Sequence, residues 1–168
     1  MDKQAIQKIK HHFQEIDKIC KKNDIKDITT NGRVKEFLMA VELGHTLADN
    51  TRGADAFDEN GNPVEYKSTV NPAINAAYRG ISCQESWRKQ RKYFKEEKIF
   101  CCQKHYFARF DGLEIVEMYS LEPSDVFKIL IPKLKKEYKN KKENFHKDPR
   151  LGVVIFKNEI LENGVQLI

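Results

Sequence analysis

The chain has 168 residues, 40% of them hydrophobic and 33% charged, and a formal net charge of +5. That is one domain's worth of sequence with apolar residues enough for a core, and no low-complexity tract argues for disorder. No apolar run approaches the roughly 18 residues needed to cross a bilayer, and Met1 leads straight into a charged segment without a signal-like stretch, so a single cytoplasmic domain over 1–168 is expected.

Ile6, Ile9, Phe13, Ile16 and Ile19 recur at three- and four-residue intervals and predict an amphipathic helix over Lys3 to Lys22, with a strongly charged outer face. Asn23 to Thr30 is a connector, and Thr30 or Asn31 can cap a second helix, Val34 to Leu47, whose stripe is Val34, Phe37, Leu38 and Val41. Glu36 lies off that stripe. Ala54 to Asp58 and Val64 to Val70 read as strands joined by a turn at Glu59-Asn60-Gly61-Asn62, where Asn-Gly favours positive φ. Asn71 to Tyr78, with Pro72, reads as a loop or short helix. Cys83 to Lys98 is predicted helical, with Trp87, Gln90, Tyr93 and Phe94 turned inward. Ile99 to Cys102, His105 to Phe110 and Leu113 to Tyr119 read as strands, the last two joined through Asp111-Gly112. A helix follows from Leu121, with Pro123 in its first turn and Ser124 or Asp125 as caps; Pro132 should kink or restart it, and Lys133 to Lys142 continues as a basic arm. Leu151 to Phe156 and Val165 to Ile168 are short apolar strands around Lys157 to Gly164.

The hairpin carries the chemistry. With a five-residue loop, Asp58 to Asn62, Asp55 falls opposite Glu65, and side chains two apart on a strand share a face, so Asp55, Glu65 and Lys67 converge. A two-residue turn at Asn60-Gly61 would bring Asp58 to Glu65 instead; Asp55 is preferred because Asp58 sits close enough to the turn to belong to it. Two adjacent carboxylates suit a hard divalent cation such as Mg²⁺, which keeps most of its waters, and a neighbouring ammonium can orient or help deprotonate a water. Such a set suits phosphodiester hydrolysis. The triplets Asp24-Ile25-Lys26, Glu96-Glu97-Lys98 and Glu137-Tyr138-Lys139 share the spacing but lie in helix-like, lysine-rich surroundings without a partner aspartate across a turn.

Asp55 followed by Glu65-Tyr66-Lys67 on the next strand resembles the signature of the PD-(D/E)XK nuclease superfamily, above all its type II restriction endonucleases. In that superfamily a preceding helix often supplies a further glutamate, and Val34 to Leu47 is similar to it, offering Glu36 or Glu42. Ala54 stands where a proline is common. The resemblance implies an α/β fold, a mixed central β-sheet flanked by helices in a restriction-endonuclease-like core, and a Mg²⁺-dependent, sequence-specific endonuclease acting on double-stranded DNA, with Mn²⁺ able to substitute. Asp55 and Glu65 would hold the metal, Lys67 would position or activate the water, and Glu36 would be a second metal or water ligand. The alternatives are a repair or Holliday-junction-resolving nuclease of the same core, or a non-catalytic nucleic-acid binder with incidental carboxylates. Cutting both strands of a symmetric sequence is most simply done by a homodimer.

Positive charge gathers in two places, Arg88, Lys89, Arg91 and Lys92, and Lys133, Lys135, Lys136 and Lys139, which are expected to contact DNA phosphates. The cysteines Cys20, Cys83, Cys101 and Cys102 form no C-x-x-C pair, so free thiols are expected, and a zinc site would have to be improvised from Cys101, Cys102 and His105. His11, His12, His45, His105 and His146 form no catalytic-histidine arrangement, and neither a G-x-S-x-G elbow nor a phosphate-binding G-x-x-x-x-G-K-[ST] loop occurs.

Overall fold

The computed structural model describes residues 2–25, 28, 32–49, 53–142 and 150–168. Helix α1, Lys3–Lys22, starts where the Asp2 carboxylate accepts the Gln4 N–H at 2.9 Å and ends with Lys21 and Lys22 at the negative end of the helix dipole. Helix α2, Arg33–Leu43, follows Gly32. The proposed caps Thr30 and Asn31, like His146, lie outside the described residues. The expected helix to Leu47 stops early because Gly44 takes a left-handed φ of 66°, the usual glycine stop signal, and Thr46–Leu47 become strand β1.

The hairpin has the predicted loop. Strand β2, Ala56–Phe57, is shorter than expected, and β3, Pro63–Thr69, pairs with it as Ala56↔Val64 and Phe57↔Pro63. Asp58 belongs to the turn: its carboxylate accepts the Asn60 and Asn62 N–H groups at 2.9 and 2.8 Å and the Asn62 side-chain amide at 3.0 Å. Gly61 supplies the positive φ, 78°.

Three expectations between the hairpin and the next sheet strand are corrected. Asn71 to Tyr78 is not a loop or short helix throughout, because Ala76–Ile81 form strand β4. The helix expected over Cys83 to Lys98 is α3, Trp87–Phe94, capped by Ser86 and continued by a π-helical turn, Lys95–Ile99. No strand forms over Ile99 to Cys102: the Phe100 N–H reaches back five residues to the Lys95 carbonyl at 2.8 Å, and Ile99 is fully buried in helical geometry.

Strands β5, Lys104–Asp111, and β6, Glu114–Leu121, form the second predicted hairpin. Helix α4, Pro123–Lys142, runs through Pro132. Strand β7, Leu151–Ile155, helix α5, Lys157–Asn163, and β8, Val165–Gln166, complete the chain. The main sheet has the order β1-β2-β3-β5-β6-β8, antiparallel except for the parallel pair β3 and β5, while β4 and β7 pair separately. A mixed sheet flanked by helices was the expected architecture. β3 and β5 are central, and both faces of the sheet are covered there. On one face Phe107 and Leu121 pack against Leu130 and Leu134 of α4 and Ile155 of the second sheet, and on the other Val64, Tyr66 and Phe110 pack against Met39 and Ala40 of α2. The stripe of α1 joins neither core: Ile6, Ile9, Phe13, Ile16 and Ile19 are 38% to 58% exposed.

Where α5 turns into β8, a Cβ on Gly164 would lie 2.6 Å from the Ile160 carbonyl oxygen and 2.8 Å from a Leu121 methyl. Gly164→Ala should therefore cost about 1–3 kcal/mol through overpacking, measured as a lower urea midpoint at unchanged m-value; a midpoint equal to wild type would show that β8 docks differently.

Candidate active site

Extending the hairpin register by one step sets Asp55 against Glu65, and the Asp55 N–H donates to the Val64 carbonyl at 3.1 Å. The Asp55 carboxylate accepts the Tyr66 N–H at 2.7 Å. One face of β3 then carries Glu65 and Lys67, whose side chains are only 20% and 22% exposed. The Lys67 ammonium pairs with the Glu65 carboxylate and donates to the Tyr66 carbonyl at 3.2 Å. Asp55, Glu65 and Lys67, separated in sequence by the turn, thus form one cluster, with Asp58 outside it.

The electrostatics follow from crowding like charges out of water. Burial first, and then the Glu65 charge, push Asp55 up to about 7, against the pull of Lys67 and of the Tyr66 N–H. For Lys67, burial opposes its charge, but Glu65 and Asp55 beside it prevail and hold the ammonium above its ordinary value. Glu36 acts on both: its charge helps to raise Asp55 and Lys67. Its carboxylate is fixed by buried Arg33 at 3.1 Å, which also donates to the Ala48 carbonyl and so ties α2 to the segment after β1. Glu42 instead lines a groove with Leu113 and Ile168. Between Glu36 and Glu42, it is Glu36 that faces the cluster.

Glu65 and Lys67 open onto a cleft of about 450 Å³ whose other side is Tyr78 and Arg79 of β4, Lys98 of the π-helical turn, and Cys101 and Cys102. Sequence reasoning missed these lining residues. Alternation was present only over Ala76 to Arg79, with Ala76 and Tyr78 buried and Arg79 exposed, before a register shift ahead of Ile81, and Pro72 and the shortness of the segment masked it. The improvised zinc site does not form around His105. That imidazole is fully buried, with one nitrogen 2.9 Å from the Tyr78 hydroxyl and the other 3.0 Å from the Ile99 carbonyl, so no ring nitrogen is left to bind a metal. Among the described residues no three His, Cys, Asp or Glu side chains form a closed metal cage.

The basic residues expected to contact DNA do not line the cleft. Arg88, Lys89, Arg91 and Lys92 are exposed on α3, where Lys89 pairs with Glu85, Lys92 with Glu96 at 3.9 Å, and Arg91 lies over the Phe127 ring. Lys135, Lys136 and Lys139 are exposed on α4. Lys133 is turned into the fold, donating to the Val154 carbonyl at 2.8 Å and pairing with Glu159.

A family model described as Restriction endonuclease PvuII matches residues 1–164. No curated protein gives a significant match.

Between the ordinary 3.8 and about 7, folded Asp55 keeps a proton that the unfolded chain has released, so its contribution to stability is lost as pH rises through that window. The metal-free protein should lose stability from pH 4 to 7 relative to Asp55→Asn, by at most about 1.4 kcal/mol per pH unit. Parallel urea-midpoint curves for the two proteins would mean that Asp55 titrates in the folded protein as it does in the unfolded chain.

Proposed function

Since the chain belongs to the restriction endonuclease PvuII family, a type II family of the PD-(D/E)XK superfamily, we propose that it cuts both strands of duplex DNA at a fixed sequence, with Mg²⁺, at Asp55, Glu65 and Lys67. Its class follows from the family: an endodeoxyribonuclease that acts on double-stranded DNA. The observation that carries the assignment of the site is the convergence across the β2–β3 turn of Asp55 with the half-buried Glu65–Lys67 ion pair, which opens to the cleft.

The donor set fits a hard divalent cation. Asp55 is forced towards its neutral form by burial and by Glu65, and a cation between the two would relieve that repulsion. Two carboxylates suffice for Mg²⁺ or Mn²⁺, which complete their shells with water. Such an ion, when bound, polarises the phosphate and lowers the pKa of its water. Asp55, fixed by the Tyr66 N–H, and Glu65 would hold the ion, and Glu36, fixed by Arg33 and within electrostatic reach of Asp55, would be a further water or metal ligand. Lys67 keeps its proton and can hold the attacking water and the phosphate oxygens by donating hydrogen bonds from Nζ. The exposed cations Arg88, Lys89, Arg91, Lys92, Lys135, Lys136 and Lys139 are the positioning contacts to the DNA backbone, with Lys89 and Lys92 exchanging surface ion pairs for phosphate, whereas Lys133 holds α4 to β7 and α5.

A single site cuts one strand, so we also propose a two-fold homodimer, joined through α1. Five large apolar side chains on one face of a 20-residue helix, outside both cores, are a surface that a second copy can cover symmetrically.

Asp55→Ala, Glu65→Ala and Lys67→Ala should each lower cleavage at least about a hundredfold while circular dichroism is preserved, and a chelator should silence the wild type until Mg²⁺ is returned. Glu137→Ala and Lys139→Ala, from a triplet of the same spacing on α4, are the controls; hairpin variants that cut as fast as these would reject the site. For the dimer, Ile9→Glu with Phe13→Glu should sediment as a monomer and lose double-strand cleavage, whereas a variant that remains dimeric would place the interface elsewhere.

A further inference from the structure

Tyr78 brings the second sheet into contact with Lys67. It sits on β4, which pairs with β7 and not with the main sheet, and is 5% exposed. The Lys67 ammonium lies 5.2 Å from the centroid of its ring, within cation–π range. The ring is itself held by a directed chain. The Ile99 carbonyl can only accept, so the His105 Nε2 facing it at 3.0 Å carries the hydrogen. In the neutral ring Nδ1 is then an acceptor, and the Tyr78 hydroxyl donates a hydrogen bond to it at 2.9 Å. His105 stands beside Glu65 in the parallel β3–β5 register, so the anchor of Tyr78 and the carboxylate paired with Lys67 are neighbours on one face.

We propose that Tyr78 is a positioning residue for the hydrolytic step: the face of its ring, fixed by His105, holds the Lys67 ammonium at the cleft. A lysine has four rotatable side-chain bonds and loses much rotamer freedom when fixed. Glu65 and the Tyr66 carbonyl restrain Nζ from its own strand, and Tyr78 restrains it from across the cleft. A carboxylate occupied in holding a cation can give up its ion pair, but the ring of Tyr78 cannot be recruited as a metal ligand at its face, so this restraint survives. The proposal rests on the role given to Lys67 above.

The test compares Tyr78→Leu, Tyr78→Phe and a series in which Phe at 78 carries one, two or three fluorines, which weaken the negative ring face while keeping its shape. Single-turnover cleavage in Mg²⁺, DNA affinity in Ca²⁺ and the NMR shift of the Lys67 ε-methylene group are read for each. Tyr78→Leu should slow cleavage roughly ten- to a hundredfold, leave affinity unchanged and abolish the upfield ring-current shift of Lys67. Tyr78→Phe, which keeps the ring face but loses the bond to His105, should keep the shift and cut at a rate between those of wild type and Tyr78→Leu, and successive fluorines should slow cleavage further step by step. A rate indifferent to fluorination, or Tyr78→Phe as slow as Tyr78→Leu, overturns the proposal, and the isosteric fluorinated series decides the matter even if Tyr78→Leu fails to fold. Lys67→Ala cutting at the wild-type rate would instead overturn the role of Lys67.

Discussion

Holding two carboxylates and an ammonium at the half-buried centre of a sheet is the constraint on which the rest of this structure depends. Ionised groups withdrawn from water cost several kcal/mol each unless partners compensate them. Here compensation is built from three sides: the Tyr66 N–H on Asp55, Lys67 on Glu65, and Arg33 on Glu36. It remains incomplete, which is why Asp55 is driven up to about 7. Three carboxylates are thus offset by two cations and by the proton that Asp55 retains towards pH 7.

The parallel pairing of β3 with β5 makes that burial possible. It puts β3 in the middle of the sheet, with α2 on one face and α4 and the second sheet on the other. Each face carries a tyrosine hydroxyl bonded to a histidine: Tyr66 with His45 on the α2 side, and Tyr78 with His105 on the cleft side. Tyr66 alternates with Glu65 and Lys67, so the pair on the back face holds the same strand whose front face holds the charges. Rigid backing of this kind allows polar side chains to keep one geometry.

What was legible in the sequence was local. Hairpin, loop length and the choice of Asp55 over Asp58 all follow from Asn-Gly and a period of two within a dozen residues, and the register is as the five-residue loop requires. The helix of α1 was equally plain from its three- and four-residue spacing. Non-local features were not legible. Nothing near Glu65 announces that His105 will lie beside it, because a parallel pair needs a crossover, here β4, α3 and the π-helical turn. The misread segments lie in that crossover or at an element's end. Gly44 ended a helix whose apolar pattern ran on into β1, and Ile99 to Cys102, apolar enough for a strand, was claimed by the π-helical turn. The choice of Glu36 over Glu42 also needed the fold, since which side of α2 meets the hairpin depends on β1 folding back onto β2.

The cleft exists because the second sheet does not join the first. Had β4 extended the main sheet, its side chains would have continued a flat surface beside an edge strand. Instead β4 and β7 pair only with each other and pack through Tyr78, Leu151, Val153 and Ile155 onto the apolar face beneath α4. This leaves a concavity between Glu65 and Lys67 on one wall and Tyr78 and Arg79 on the other. With no backbone ladder between the walls, their spacing is set by packing and by the Tyr78–His105 bond, which reaches from β4 to β5. The charges come from a local hairpin, but their distance from the opposite wall is a property of the whole core. Changes in that core, far in sequence from Asp55, Glu65 and Lys67, therefore act on the site through the width of the cleft.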